Sequence, residues 1–314
     1  MSDTTRVAAI QLAVRVADTA HNLAACARLA ETAVREGARW IALPEFFNTG
    51  VSFEPALRDA IATDDGEPSR FLRDFSARHN VVIGGSFLCR LPGGSVRNRY
   101  QCWADGALLG RHDKDLPTMW ENAFYEGGEP GDDGVLGVQD GLRVGTAVCW
   151  EFMRTQTARR LQGRVDLLIG GSCWWSIPDW IPAPLRMRWE ARNAANALGC
   201  VQDTARLLGV PVLHAAHCGD TRCAMPGLPL LRYRGHYEGH AAIIGADGQR
   251  LAHRDPAQGE GLVIADVPVA ARADTRLPAV PQRYWLRDRG VMPAFAWHQQ
   301  RLAGRHWYAR HVRG

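Results

Sequence analysis

Residues 142–151 read LRVGTAVCWE, an apolar run that ends in a cysteine and a carboxylate. The run from Val144 to Val148 predicts a buried strand, and residues 152–161, which lack Gly and Pro, predict a helix. Cys149 then lies on a strand-to-helix turn, where free N–H groups and the positive end of the helix favour a thiolate and a developing oxyanion. A lone cysteine is more often a small buried apolar residue, so a nucleophile here also needs a base and a positive neighbour.

The composition is that of an ordinary globular protein. The 314 residues are 46% hydrophobic and 22% charged, and one large α/β domain can form from them without cross-links. Much of the net charge of +4 lies in the Arg- and His-rich segment 301–313, which carries no nucleic-acid-binding motif. We therefore expect a solvated or subunit-contacting tail, and no nucleic-acid partner.

The cysteines and the N-terminus bear on the compartment. The eight cysteines are scattered through apolar segments and do not frame short loops, which is typical of reduced thiols. Residues 1–6 lead into a short strand and lack the features of a signal peptide, and no apolar run approaches transmembrane length. We expect a soluble, cytoplasmic protein without a membrane partner.

Apolar periodicity and turn residues predict an alternation of strands and helices. From residue 270 onward Arg, Pro and aromatic residues follow no clear period, so we assign 1–270 to one domain and 271–314 to an extended tail that contacts a second subunit. The predicted elements are strand 7–14, helix 20–36, strand 40–43, helix 67–79, strand 81–87, a hairpin of 98–103 and 108–111, strand 165–172, helix 184–208, strand 210–216, a hairpin of 240–245 and 249–253, and strand 261–267.

Two further charged residues follow predicted strands. Glu45 comes directly after strand 40–43, and Lys114 follows the first hairpin, with Glu121 seven residues on. An exposed loop acid and a solvated surface pair are the ordinary explanations. The strand–helix–strand pattern around Glu45 is repeated around Cys149, which places both residues at one edge of a sheet.

Glu45, Lys114 and Cys149 together resemble the Glu-Lys-Cys triad of the nitrilase superfamily of carbon–nitrogen hydrolases. The resemblance implies an α/β fold, the four-layer α-β-β-α sandwich, with residues 1–270 as the hydrolase domain and a homodimer or higher homo-oligomer. It also includes Gln11, the segment from Lys114 to Glu121 with Gly127-Gly128, residues 166–172, residues 239–244 and Asp247-Gly248.

The resemblance assigns a role to each residue. Cys149 is the nucleophile, and Glu45 takes its proton, later passes one to the leaving nitrogen and activates water. Lys114 and the backbone N–H of Trp150 stabilise the oxyanion, while Glu121 holds Lys114 charged and orients the substrate nitrogen. The resting protonation of Cys149 and Glu45 stays open. No cofactor or metal is expected.

The motifs conflict over the substrate. Residues 149–151 and 114–118 resemble the true nitrilases, whereas residues 44–50 do not, and residues 152–154 lack the paired arginines of carbamoyl-amino-acid hydrolases. We favour a small apolar or aromatic amide, cleaved through a thioester to a carboxylic acid and ammonia or an amine. The alternative is a nitrilase that converts a nitrile to acid and ammonia.

Aromatic residues and a second thiol are expected near the pocket. We place Trp150, Trp174 and Cys173 at the substrate site, with Trp175 and Trp180 nearby, although such residues are equally typical of a core or an interface.

The sequence also offers two other classes of function, a zinc site and a catalytically inactive binding protein. A zinc site is one, although the spacing of its candidate ligands fits no standard motif. A catalytically inactive binding protein on the same fold is the other, and the intact triad argues against it. The candidate zinc ligands are His214, His217, Cys218, Cys223, His236 and His240.

Overall fold

The computed structural model describes residues 4–228, 230–268 and 277–313. Its strands are β1 (Thr4–Leu12), β2 (Trp40–Ala42), β3 (Ala62–Thr63), β4 (Val82–Arg90), β5 (Val96–Ala104), β6 (Ala107–Asp113), β7 (Val135–Gln139), β8 (Leu142–Val148), β9 (Leu167–Ser172), β10 (Val212–His217), β11 (Asp220–Ala224), β12 (Arg232–His236), β13 (Ala242–Ile244), β14 (Arg250–His253) and β15 (Gly261–Pro268). Its α-helices are α1 (Thr19–Arg35), α2 (Glu67–His79), α3 (Thr155–Leu161), α4 (Ala183–Leu208) and α5 (Val291–His311).

The main sheet runs in the order β6-β5-β4-β2-β1-β10-β9-β8-β7. The neighbours from β2 through β1, β10 and β9 to β8 pair in parallel, so the carboxyl ends of these strands share one edge. Glu45 follows β2 and Cys149 follows β8. The prediction that both residues project from the same edge is confirmed.

The side chains of β1 alternate between two hydrophobic clusters. Ala8 and Ile10 join a cluster that includes α1 and α2, whereas Val7 and Ala9 join one that includes β8, β9 and α4. A strand buried on both faces reads as the continuous apolar run that the sequence shows. The outer helices and the two inner sheet layers form the four-layer α-β-β-α sandwich of an α/β protein.

The segment after Cys149 differs from its prediction. A continuous helix is expected over 152–161, but Cys149–Met153 forms a 3₁₀ helix and α3 begins only at Thr155. The backbone of Arg154 between them is extended and forms an isolated bridge with Trp285. This contact with a residue far along the chain interrupts the local helical preference.

The prediction of an extended tail is wrong for α5. The buried positions of this helix include Ala296, Gln300, Gly304 and Tyr308, which are spaced by four residues and form one face. Because Gln300 and Gly304 are not apolar side chains, hydrophobic periodicity does not reveal this buried face. The predicted boundary at 270/271 lies outside the described residues, and the contact with a second subunit stays a prediction. Among the described helices, none is both long and apolar enough to cross a membrane.

Candidate active site

Glu45 lies at the centre of a buried polar cluster. Its Oε1 accepts hydrogen bonds from Lys114 Nζ and from Asn98 Nδ2, each at 2.8 Å, and its Oε2 accepts the N–H of Cys173 at 2.9 Å. The residue is only 1% exposed. It is therefore not an exposed loop acid, and three donors fix the direction of its carboxylate.

Lys114 directly follows β6 and is completely buried. Its Nζ lies 2.7 Å from Glu121 Oε2 and 3.3 Å from Thr118 Oγ1, in addition to its bond with Glu45. Burial alone would lower the pKa of Lys114, but the carboxylates of Glu121 and Glu45 outweigh it and raise that pKa well above its ordinary value. The lysine is a fixed buried cation and not half of a surface pair.

The two carboxylate oxygens of Glu121 differ. Oε2 accepts from Lys114, from the N–H of Thr118 at 2.8 Å and from the hydroxyl of Tyr125. Oε1 is buried and has no hydrogen-bond partner among the described residues. Burial raises the pKa of Glu121 to about 7, with Lys114 opposing the rise and Glu45 adding to it. An unpaired buried acceptor is costly, so Oε1 is poised for a donor from outside the chain.

Cys149 directly follows β8 as the first residue of the 3₁₀ helix and has a φ of 53°. This left-handed conformation is unusual for a residue other than glycine and is frequent at functional sites. Burial and the Glu45 carboxylate raise the pKa of the Cys149 thiol well above its ordinary value, while Lys114 opposes the rise. Burial and Glu45 therefore both favour the thiol form of Cys149 over the thiolate.

Aromatic residues form a narrow cavity of about 40 Å³ beside these segments. Trp150 and Trp174 both line it, with their ring centroids 5.6 Å apart, and Trp175 joins them. Cys173 is fully buried, and its backbone N–H faces Glu45. Trp180, by contrast, is 38% exposed and does not line this cavity.

Sequence reasoning missed the polar residues that fix the charged side chains. Asn98 lies on β5, Thr118 precedes the 3₁₀ helix of Glu121, and Tyr125 follows Glu121 by four residues. The spacing of Thr118 and Glu121 is that of a capping box, a signal present in the sequence. Asn98 gives no comparable local signal, because its contact with Glu45 depends on the tertiary fold.

The candidate zinc ligands are dispersed. His214 contacts Ser172 Oγ at 2.8 Å, and His217 Nε2 donates to the backbone oxygen of Glu45 at 2.6 Å. In the described part of the chain, one group of side chains could hold a metal ion, with ligand atoms within 4.8 Å of one another, and it includes only one of the six candidates. That group is Glu190, His236 and Glu238.

The comparison with known families decides the identity of the fold and of its chemistry. The model of the carbon–nitrogen hydrolase family matches residues 6–277. The chain belongs to this family. It is a hydrolase of the nitrilase superfamily that acts on carbon–nitrogen bonds, as the resemblance of the triad predicts.

Related proteins include both amidases and nitrilases. An aliphatic nitrilase from Rhodococcus rhodochrous is 23% identical over 300 residues, which cover 91% of this chain and 81% of the relative. An omega-amidase from Yersinia enterocolitica is 27% identical over 223 residues, which cover 69% of this chain and 73% of the relative.

Solved structures share the fold. An amidase of the nitrilase superfamily from Nesterenkonia AN1 superposes with a TM-score of 0.67 at 18% identity, covering 85% of this chain and 92% of that one. A carbon–nitrogen hydrolase from Helicobacter pylori gives a TM-score of 0.70 at 17% identity, with 85% and 90% covered.

Proposed function

We propose that this hydrolase cleaves a small apolar amide through Cys149 to give a carboxylic acid and ammonia or an amine. The observation that carries the proposal is the buried cluster in which Lys114 bridges Glu45 and Glu121, next to the strained turn of Cys149. The same arrangement suits an acyl transfer, which needs a nucleophile, a base and a positive charge for the oxyanion.

The first half of the reaction forms a thioester. Because the thiol form of Cys149 is favoured, Glu45 accepts its proton as Sγ attacks the carbonyl carbon. Lys114 and the backbone N–H of Trp150 stabilise the negative oxygen of the tetrahedral intermediate. Glu45 then donates the proton to the nitrogen as the carbon–nitrogen bond breaks, and ammonia or an amine leaves.

The second half reverses these roles with water. Glu45 takes a proton from the attacking water, a second tetrahedral intermediate forms at the same carbon, and its collapse expels the Cys149 sulfur, which recovers the proton. One water is consumed for each amide cleaved. The base must therefore stay aligned through both halves, and the three donors on Glu45 supply that alignment.

Glu121 supports an amide over a nitrile. An amide nitrogen carries hydrogens, and one of them can bond to the unpaired Oε1 of Glu121. A nitrile nitrogen carries none, so that oxygen would stay unsatisfied when a nitrile binds. An apolar acyl group is supported by the aromatic cavity that Trp150 and Trp174 line, since these residues directly follow Cys149 and Cys173 in the chain.

Nitrile hydrolysis is the second candidate. The relationship with an aliphatic nitrilase covers 91% of the chain, and residues 149–151 keep the Cys-Trp-Glu sequence that resembles the nitrilases. The same three side chains would act in the same roles, with nitrogen leaving only as ammonia. An inactive binding protein remains an outcome of the test below.

The test is release of ammonia or amine from a panel of aliphatic and aromatic amides, N-carbamoyl compounds and nitriles. We expect the wild type to turn over amides and Cys149→Ala to turn over none. Cys200→Ala is the matched control, since Cys200 is equally buried but lies in α4. Turnover of nitriles alone would select the second candidate, and activity that survives in Cys149→Ala would exclude the cysteine mechanism.

A further inference from the structure

Glu151 joins the segment of Cys149 to the segment of Lys114. Its side chain is completely buried. Glu151 Oε2 accepts the N–H of Val148 at 2.8 Å, and Oε1 accepts the N–H of Asp115 at 3.0 Å. Val148 precedes Cys149, and Asp115 follows Lys114. A single carboxylate thus anchors the backbone beside two residues of the proposed catalytic site.

Two cations hold this carboxylate in place. Arg160 Nη2 lies 2.9 Å from Glu151 Oε1, and His112 Nε2 lies 3.1 Å from both oxygens. Nδ1 of the same histidine lies 2.5 Å from Asp132 Oδ1. Burial lowers the pKa of His112, but Glu151 and Asp132 outweigh it and raise that pKa to about 10, so the imidazole is charged.

The acid next to Lys114 belongs to the same network. The side chain of Asp115 pairs with Arg154 and lies 3.3 Å from Arg160 Nη1. Arg160 therefore contacts both Asp115 and Glu151, and Arg154 extends the network along the segment that carries Cys149. Buried charges are tolerated when they are paired and hydrogen-bonded in this way, and a well-satisfied network fixes a single arrangement.

We propose that Glu151 is a positioning residue, which fixes Cys149 relative to Lys114 through the backbone on each side. It touches neither substrate nor reacting atoms in the proposed function, on which this inference rests. Its bond with the N–H of Val148 supports the left-handed turn of Cys149, and its bond with the N–H of Asp115 holds the segment of Lys114. Small errors of placement in a catalytic pair lower turnover steeply.

Glu151→Gln tests the idea with little change of shape. A carboxamide has one accepting oxygen and one NH₂ group that only donates. If the oxygen faces Val148, the NH₂ group faces the N–H of Asp115; if the amide is flipped, it faces the N–H of Val148. Either orientation breaks one anchor and leaves Arg160 and His112 short of negative charge.

The first measurement compares turnover of the best amide by wild type, Glu151→Gln and a control. We expect Glu151→Gln to lower kcat about 100-fold with little change in KM, because positioning and not binding is lost. Asp166→Asn is the control, since Asp166 is also buried and pairs at 2.7 Å with Arg143, which lies near the start of β8, whereas Val148 ends that strand. The control is expected to lose stability and keep its kcat.

The second measurement needs no substrate. The rate at which iodoacetamide alkylates Cys149, followed by peptide mass spectrometry over a range of pH, reports the reactivity and the pKa of the thiol. We expect Glu151→Gln to shift this pH profile and Asp166→Asn to leave it unchanged. If the wild type turns over no compound, the proposed function fails, while the alkylation profiles still decide the role of Glu151.

Arg160→Gln covers the case in which Glu151→Gln does not fold. It removes one cation from Glu151 at a side chain that is partly exposed, and a smaller loss of kcat in the same direction is expected. The proposal is overturned if the folded variants of Glu151 and Arg160 match Asp166→Asn in both kcat and alkylation profile. It is also overturned if Glu151→Gln raises KM while kcat is unchanged.

Discussion

Trp297 stacks on Trp150, with ring centroids 5.2 Å apart and planes inclined by 10°. Trp150 directly follows Cys149, whereas Trp297 lies on α5. The ring of Trp285 meets both of them edge-on, which is a favoured geometry for aromatic pairs. The C-terminal helix therefore supports the residue beside the proposed nucleophile by packing.

Trp297→Ala is expected to reduce both stability and turnover. Removing a buried tryptophan lowers the free energy of unfolding by about 3 kcal/mol or more. Turnover falls because Trp150, whose N–H is proposed to bind the oxyanion, loses the ring that fixes it. Urea unfolding and kcat on the best amide measure the two effects.

Trp307→Ala provides the control for that variant. Trp307 is on the same helix, but its ring packs against Phe53, with centroids 5.1 Å apart, and against His311. A loss of stability with unchanged kcat is expected. If both variants slowed turnover equally, the specific support of Trp150 by Trp297 would be refuted.

Gly304→Ala is predicted to loosen α5 from the segment that carries Glu121. A Cβ atom at Gly304 would lie 2.9 Å from the backbone nitrogen of Ala123 and from Asn122 Cβ. Both distances are shorter than van der Waals contact, so the helix or the segment would have to shift. We expect a loss of about 1–3 kcal/mol in unfolding free energy from overpacking, although alanine favours a helix.

Gly199→Ala in α4 is the matched substitution. A Cβ atom there would meet the guanidinium of Arg287, which pairs with Asp203 but is the far end of a long side chain and can shift more easily than backbone. Thermal unfolding measures the stability of both variants, and we expect Gly304→Ala to be the less stable because its new Cβ atom meets backbone. A Gly304→Ala protein as stable as Gly199→Ala would show that α5 does not pack closely on this segment.

The sequence predicts well the elements whose ends carry local signals. Helix α4 is predicted over 184–208 and observed over Ala183–Leu208, because Pro182 and Pro184 mark its start and Gly209, with a φ of 63°, marks its end. The strands that precede Glu45 and Cys149 are likewise predicted from their apolar runs.

The sequence does not show features whose cause is tertiary. The buried face of α5 includes Gln300 and Gly304, which no hydrophobic pattern detects. The short strand β7 and the hairpin of β11 and β12 are also absent from the predicted elements. The role of Asn98 becomes visible only in the folded protein, where its side chain contacts Glu45.

The pKa of Glu121 predicts an acid limb in the pH dependence of amide turnover. Burial raises this pKa to about 7, so lowering the pH through 7 protonates the carboxylate. A protonated Glu121 no longer offers a fully ionised acceptor to the substrate nitrogen, and kcat/KM should fall toward acid pH and level off above about pH 8.

Glu121→Gln tests the assignment of that limb. We expect a lower plateau, because Lys114 loses one of its two carboxylate partners, and no inflection near pH 7. The measurement is kcat/KM from about pH 5 to pH 9 for both proteins. An unchanged inflection in Glu121→Gln would assign the limb to another group.

Asn98→Leu is expected to lower turnover while leaving the free energy of unfolding almost unchanged. Asn98 Nδ2 donates to Glu45 Oε1 at 2.8 Å, while its own Oδ1 is buried without a hydrogen-bond partner among the described residues. Leucine of similar size removes both the donor and the unpaired acceptor, so the net change in unfolding free energy is small. Turnover should fall about 10- to 100-fold, because a base that is no longer held in one direction is poorly placed for proton transfer.

Asn196→Leu shows what the loss of a buried asparagine does elsewhere. Its Nδ2 donates to the backbone oxygen of Asp288 at 2.8 Å, far along the chain from the catalytic segments. We expect this variant to be less stable than the wild type with normal kcat, the reverse of Asn98→Leu. The two variants differ because the hydrogen bond of Asn98 orients the Glu45 carboxylate, whereas the hydrogen bond of Asn196 joins α4 to the C-terminal segment. If Asn98→Leu lost stability and kept full turnover, Lys114 and the Cys173 N–H would suffice to align the base.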